Sequence, residues 1–333
     1  MKENSIAIYY EHPEWFRLLF AAMERRGVSF EKIDASRHSY DPGGSLQNLP
    51  ALFFNRMSAS AYLRGNGNAI FYTRGLLANL EQKRVRVING YDAFQIEISK
   101  ALQLVLLDSL GINYPKTRVI NSPEQAVAAA ADLQFPIVVK PNIGGRGAGI
   151  IKFDSLDALA DGAKQNLIDL GLDSTGLIQE FVPKRGQHID RIETLGGKYL
   201  YAIKIYPTGE NFNLCPAEVC QIEDSGVSAI GEMCLTDAPV TGLRIEKFEP
   251  PAEMIETVER IVARAKIDVG GVEYMIDDRT GEPLFYDINA LSNFVADAEN
   301  VIGFDPHERL VDFLVEELEK CATDTGCLSS AVG

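Results

Sequence analysis

Several absences narrow the class of this chain. No stretch approaches the roughly 18 consecutive apolar residues of a membrane-spanning helix. The start, Met1-Lys2-Glu3-Asn4, leads into a short strand-like run and not a long apolar signal core, so a cytoplasmic protein is expected. Basic charge is scarce: 32 Lys and Arg stand against 47 Asp and Glu, a net −15 at pH 7. Nucleic acid and anionic membrane surfaces are therefore not expected partners. The five cysteines (Cys215, Cys220, Cys234, Cys321 and Cys327) form no Cys-x-x-Cys pair, and the four histidines are scattered. That pattern gives no zinc site and is expected of reduced thiols.

What is present suffices for full cores. Hydrophobic residues make up 46% of 333 residues, a length that suggests two domains or three small ones. The acidic excess is localised: residues 201–333 carry 26 acidic and 9 basic side chains, and the earlier residues are close to neutral.

Hydrophobic periodicity predicts strands at 5–10, 28–33, 51–54 and 85–88, with helices at 13–26 and 69–82 between them. This alternation predicts a small α/β domain with a parallel sheet over residues 1–90. One helix is expected from Asp92 to Leu110, and another starts at Ser122-Pro123-Glu124. Strands are expected at 136–140, 149–153, 177–181, 189–195 and 199–206. A helix follows at 251–265, a hairpin pairs 272–276 with 284–288, and a last helix covers 305–320. Residues 322–333 read as a loose tail.

Five features carry chemistry. A strand ending in Lys140 runs into a loop with Gly144, Gly145, Arg146, Gly147 and Gly149. Such glycines let backbone N–H groups approach phosphate oxygens, and the lysine supplies a point charge; a flexible hairpin tip is the competing reading. Neither Walker A nor the dinucleotide fingerprint is present. In the hairpin, Gly281 suits the left-handed position of a three-residue loop. That register opposes Asp278 to Glu282, and hence Glu273 to Asp287, with Asn289 on the same face. Opposed carboxylates ask for a cation, and Mg²⁺ accepts such oxygens; a solvated hairpin face is the alternative. Gln179-Glu180-Phe181-Val182-Pro183 is a strand broken at proline that can present backbone groups to an adenine edge. Asp190 and Arg191 lie on one strand, with Lys204 on the next and Asn213 beyond; ion pairing is the competing role. Lys100, off its helix's apolar stripe, says little alone.

Taken in order, these pieces resemble the ATP-grasp superfamily, and within it the RimK-like carboxylate–amine ligases, from about Leu52 to the last helix. Asn55-Arg56-Met57-Ser58 is similar to the Pro-Arg-x-Gly stretch preceding the domain in that branch. The resemblance implies an α/β fold with α+β lobes. A pre-ATP-grasp domain would cover 1–90, a central lobe with a glycine-rich lid 91–178, a C-terminal lobe with the metal site 179–321, and a tail 322–333. It implies that Lys100 and Lys140 hold ATP phosphates and that Gly144–Gly149 covers them. Glu180, Phe181 and Val182 would receive adenine, and Asp190 the ribose. Arg191, Lys204 and Asn213 would serve the acyl phosphate and γ-phosphate. Glu273, Asp287 and Asn289 would hold Mg²⁺, with Mn²⁺ as the alternative.

The chain departs from the branch in three places. Glu273 and Asp287 exchange the usual Asp and Glu, and Lys204 replaces an arginine. Ala290-Leu291-Ser292-Asn293-Phe294 replaces x-Ser-Pro-Gly near the acceptor substrate. The implied activity is ATP-dependent amide formation through an acyl phosphate, on a small-molecule or peptide carboxylate and an amine. Arg56, Ser58 and Asn293 are candidate substrate contacts, and Arg64 and Arg74 lie nearby. A homo-oligomer stays open. Competing readings are a small-molecule kinase, a macrocyclase acting on a ribosomal peptide, and a non-catalytic nucleotide-binding module.

Overall fold

The computed structural model describes residues 2–45, 49–145, 147–206 and 244–329. Cys215, Cys220 and Cys234, like Arg146 and Asn213, lie outside them.

The first sheet is parallel, in the order β2-β1-β3-β4, from β1 (Lys2–Tyr10), β2 (Phe30–Asp34), β3 (Pro50–Arg56) and β4 (Arg86–Ile88). Ile6, Ala7, Ile8 and Tyr9 of β1 are apolar and buried without alternation, as a segment covered on both faces is. Ala7 and Tyr9 pack with α2 (Gly67–Gln82). Ile6 and Ile8 pack with α1 (Arg17–Arg25) and with residues from the far end of the chain, Leu310, Val311 and Leu314. The sheet of the first 90 residues therefore shares its core with the last helix.

The expected helix 92–110 is two helices, α3 (Tyr91–Glu97) and α4 (Lys100–Ser109). Ser99 separates them in extended backbone, and its Oγ accepts from the Leu102 N–H as an N-cap. Lys100 is thus the first residue of a helix that begins at the cleft described below.

The second sheet is antiparallel, in the order β5-β8-β6-β7, from β5 (Thr117–Ile120), β6 (Ile137–Pro141), β7 (Ile151–Phe153) and β8 (Gly176–Glu180). Ile137, Val139 and Ile178 pack in a core with residues of α5 (Ala126–Ala129) and α6 (Leu156–Lys164), the latter capped by Ser155. Val138, Lys140 and Gln179 occupy the other face by the two-residue period.

The third sheet is antiparallel, in the order β11-β10-β9-β12-β13. Its strands are β9 (Ile189–Leu195), β10 (Lys198–Tyr206), β11 (Arg244–Lys247), β12 (Val269–Ile276) and β13 (Pro283–Asn289). Ile192, Val272, Tyr274 and Phe285 face α7 (Ala252–Ala265), with Val258, Ile261 and Val262 against them. The chain ends through α8 (Ala298–Val301) and α9 (Pro306–Ser329). The expected loose tail is helical as far as Ser329, because α9 continues past residue 320.

Candidate active site

The second and third sheets, α4 and the glycine loop enclose a cleft of about 1700 Å³ of empty space, its open mouth included. Two lysines enter it. Lys100 Nζ lies 2.6 Å from Asp287 Oδ1. Lys140, 6% exposed, donates to Gln179 Oε1 at 3.0 Å. Burial and the charge of Lys100 bring its ammonium down to about 7, against the pull of Asp287. Asn142 fastens the two lysine-bearing elements together. Its Oδ1 accepts from Ser99 Oγ and the Ala101 N–H, and its carbonyl from the Lys100 N–H.

Gly144, Gly145 and Gly147 line the same cleft, while Gly149 turns back over Pro141. Gly147 and Gly149 have φ of 64° and 74°, in the left-handed region. A Cβ on Gly144 would stand 3.4 Å from Lys100 Cε, so glycine there lets the loop approach the lysine closely. Glu180, Phe181 and Val182 line the cleft at the end of β8. The Glu180 carboxylate accepts from the Gln134 N–H outside it.

Glu273 on β12 pairs directly with Asp287 on β13, and Gly271 with Asn289. The pairing expected at the turn differs, however. Asp277, not Asp278, opposes Glu282, through an Asp277 N–H to Glu282 O bond of 2.9 Å. A β-bulge at Tyr286 absorbs the one-residue offset and restores the register at the carboxylates. Tyr286 thereby reaches the cleft, and its hydroxyl donates to Glu273 Oε2 at 2.6 Å. Burial and the neighbouring Asp287 raise the Glu273 carboxyl. Burial would raise Asp287 too, but Lys100, Lys140 and Arg191 hold it below the usual range. Asn289 Nδ2 lies 3.3 Å from Asp287 Oδ2. Among the described residues no three His, Cys, Asp or Glu side chains form a metal cluster. Two carboxylates and an amide oxygen nevertheless fit Mg²⁺, which takes its remaining ligands from phosphate and water.

Arg191 faces the cleft from β9, 2.9 Å from Glu273 Oε1. Burial would lower its guanidinium, but Glu193 and Glu273 raise it above the ordinary value. Asp190 and Lys204 are paired with one another across β9 and β10, and lie on the face opposite Arg191. Asp190 takes His188 Nε2 at 3.2 Å, and Lys204 lies over the Phe248 ring at 5.2 Å. Among the described residues these two do not line the cleft. Adjacent strand residues point oppositely, so the structure does not bring Asp190 and Arg191 together.

Beyond Asn289, Leu291 and Asn293 line the cleft. Arg56, at the end of β3, is 3% exposed, and its Nη2 donates to the Ser292 carbonyl at 2.5 Å and to Asn293 Oδ1 at 3.2 Å. Its Nε and Nη1 have no hydrogen-bond partner among the described residues. Burial lowers this guanidinium to about 10, against Glu97 and Glu193. The Ser58 hydroxyl is taken up locally, accepting from the Ser60 N–H to cap the 3₁₀ turn Ala59–Arg64. Arg64 is held by a two-pronged pair with Glu11, its Nη2 2.6 Å from Oε2.

Several contributors carry no motif. Glu97 Oε2 accepts from the Ala290 and Leu291 N–H groups, fixing the loop beyond Asn289. Gln103 bonds both the carbonyl and the N–H of Ile288, fixing β13 to α4. Lys184 lines the cleft within the field of Glu273. Only the position of Gln103 one helical turn after Lys100 hinted at any of these from sequence.

Residues 98–212 match the RimK-like ATP-grasp domain. The chain is 29% identical over 225 residues to the tetrahydromethanopterin:alpha-L-glutamate ligase of Methanosarcina acetivorans, covering 61% of this chain and 67% of that one. It is 37% identical over 99 residues to the alpha-aminoadipate–LysW ligase LysX of Sulfurisphaera tokodaii, 29% of this chain and 34% of the relative. It is 30% identical over 196 residues to the carbamoyl phosphate synthase large chain of Mesorhizobium japonicum, 53% of this chain but only 15% of the relative. Among solved structures, the ATP-grasp ligase PsnB with a minimal precursor aligns at a TM-score of 0.65 and 17% identity, over 95% of this chain and 100% of that one. D-alanine–D-alanine ligase from Bacillus anthracis with ATP aligns at 0.64 and 15% identity, over 97% and 100%. Sheet order, cleft and matches converge: the chain has the ATP-grasp fold, and its residues 98–212 match the RimK-like ATP-grasp domain.

Proposed function

We propose that this protein joins a carboxylate to an amine at the expense of ATP. One observation carries the reading. Lys100, Lys140 and Arg191 converge with Glu273, Asp287 and Asn289 on one cleft, beneath a glycine loop. Three cations beside an oxygen donor set form a site for a polyphosphate, whatever the net charge of the chain. The relatives named as ligases support the reaction class.

In this reading a substrate carboxylate attacks the γ-phosphoryl group and becomes an acyl phosphate. An amine then attacks the acyl carbon, giving the amide, with ADP and phosphate released. Lys100 and Lys140 hold phosphate oxygens, and Arg191 meets the charge on the transferring group. The backbone at Glu180 and Val182 receives the adenine edge. Glu273, Asp287 and Asn289 would hold Mg²⁺, which when bound neutralises phosphate charge. The glycine loop covers the phosphates and excludes water that would hydrolyse the acyl phosphate. Asn293 lines the cleft where a carboxylate-bearing substrate would sit, and the buried Arg56 behind it holds Asn293 Oδ1.

The test is a screen for ADP release over amino acids, dipeptides and small carboxylates, with and without added amines. Release that requires both an acid and an amine, with an amide product, is expected. A phosphorylated product formed without any amine would establish a kinase instead.

A further inference from the structure

Glu193 has no place in the scheme above, yet it is the most deeply buried charge beside the cleft, with 0% exposure. A carboxylate out of water is costly unless its oxygens are engaged, and an apolar residue of similar volume is often the more stable choice. Here both oxygens are used. Oε1 receives Arg191 Nε at 2.6 Å, and Oε2 receives Ser292 Oγ at 2.6 Å. Ser292 Oγ in turn accepts from Arg191 Nη2 at 3.1 Å, closing a three-membered ring of side chains. The Ser292 carbonyl holds Arg56 Nη2.

The backbone makes room for this ring. Gly271 is paired with Glu193 across β12 and β9. A Cβ there would lie 2.8 Å from Glu193 Oε1 and 2.9 Å from Arg191 Nε and Nη2. The site is built on two strands and one loop, with glycine at the position where any side chain would collide.

We propose that Glu193 is a positioning residue for the transfer step. It grips Arg191 by its Nε edge, turns the Nη groups towards Glu273 and Ser292, and through Ser292 ties that guanidinium to the loop carrying Asn293 and to Arg56. The end of the cleft that meets phosphate and the end that meets the acid are then one hydrogen-bonded unit. This inference rests on the ligase reading for its kinetic part only.

The experiment is Glu193→Gln, which keeps the shape and removes the charge, measured in two ways. In full-length protein labelled with [¹⁵N]arginine, the Arg191 Nε–H resonance, assigned by its loss in Arg191→Lys, is expected to be slow to exchange with water in the parent and fast in the variant. In turnover with whichever acid and amine support ADP release, kcat is expected to fall about thirty-fold, the scale of one hydrogen bond to a charged group. The Kd for the nucleotide analogue AMPPNP with Mg²⁺ is expected to stay within threefold. An unchanged Arg191 resonance, a kcat within threefold of the parent, or equal losses in kcat and nucleotide affinity would each overturn the proposal. If Glu193→Gln does not fold, Ser292→Ala is measured on the same readouts, and unchanged kcat there overturns it as well. If the parent releases no ADP with any pair, the ligase reading fails while the resonance still decides the role of Glu193.

Discussion

Glu273 and Asp287 face one another across β12 and β13 because Tyr286 is left unpaired between them and the rest of the hairpin. Two acidic side chains in direct opposition, one raised and one lowered from its ordinary range, make a site that a cation relieves. Asp287→Ala or Asn289→Ala should cut Mg-dependent ADP formation by about a hundredfold or more while the protein stays folded by circular dichroism. Wild-type turnover in either variant would remove these residues from the metal site.

Lys140 gives opposite pH trends for stability and for binding. Its folded value, about 7, lies below that of an unfolded lysine, so between the two the unfolded chain binds more protons. This group therefore makes the nucleotide-free protein more stable as pH rises from 7 towards 10. Phosphate binding needs the charged form, so affinity for AMPPNP with Mg²⁺ should fall over the same interval, with uptake of up to one proton. Titrations at pH 7 and 9 check this, and Lys140→Met should bind weakly with this pH dependence lost. Equal affinity in the parent at both pH values would place Lys140 outside the phosphate site.

Gly271→Ala adds one carbon against Glu193 and Arg191. Overpacking of this kind costs about 1–3 kcal/mol, so a lowered Tm is expected, together with reduced turnover. A variant as stable and active as the parent would show that the cluster has slack.

Ser99→Ala removes the cap of α4 and the hydrogen bond from Ser99 Oγ to Asn142. A loss of about 1 kcal/mol in unfolding free energy is expected, with weaker nucleotide binding because Lys100 begins that helix. Denaturant titration and calorimetry measure the two effects separately.

Arg56→Lys keeps a charge but gives up the planar fork. If Arg56 meets a substrate carboxylate, KM for the acid should rise several-fold with little change in nucleotide affinity. An unchanged KM would leave Arg56 as a fastener of the 290–294 loop.

Much of this was legible in residues and much was not, for physical reasons. The alternation of Glu273, Asp287 and Asn289 with apolar residues placed them on one face, because the strand period is two. Their opposition was expected from a turn register one residue away from the real one, and the bulge that corrects it has no sequence mark. The single helix expected over 92–110 is broken at Ser99, whose capping competes with helix continuation. Asp190 shares a strand with Arg191, and the resemblance sets Lys204 beside Arg191, although the same strand period sends Asp190 and its partner Lys204 to the other face. Glu193 is on the Arg191 face by that rule. In sequence a carboxylate two residues from an arginine reads as surface charge, and the burial of Glu193 has no mark there.

The last helix carries a consequence for how the chain is made. Leu310, Val311 and Leu314 close the core begun by Ile6, Ile8, Leu52 and Phe54, and Arg25 and Arg26 meet Glu308 and Asp312 across that seam. The first sheet, although α1 and α2 pack on it, is thus not fully covered until α9 has been made. During synthesis the part of one face that α1 leaves bare waits for residues about 255 to 310 positions later. A chain interrupted after the phosphate-binding cleft has been assembled would still lack this closure. The order of translation makes α9 a clasp that closes the core of the first sheet only after the cleft residues have been made.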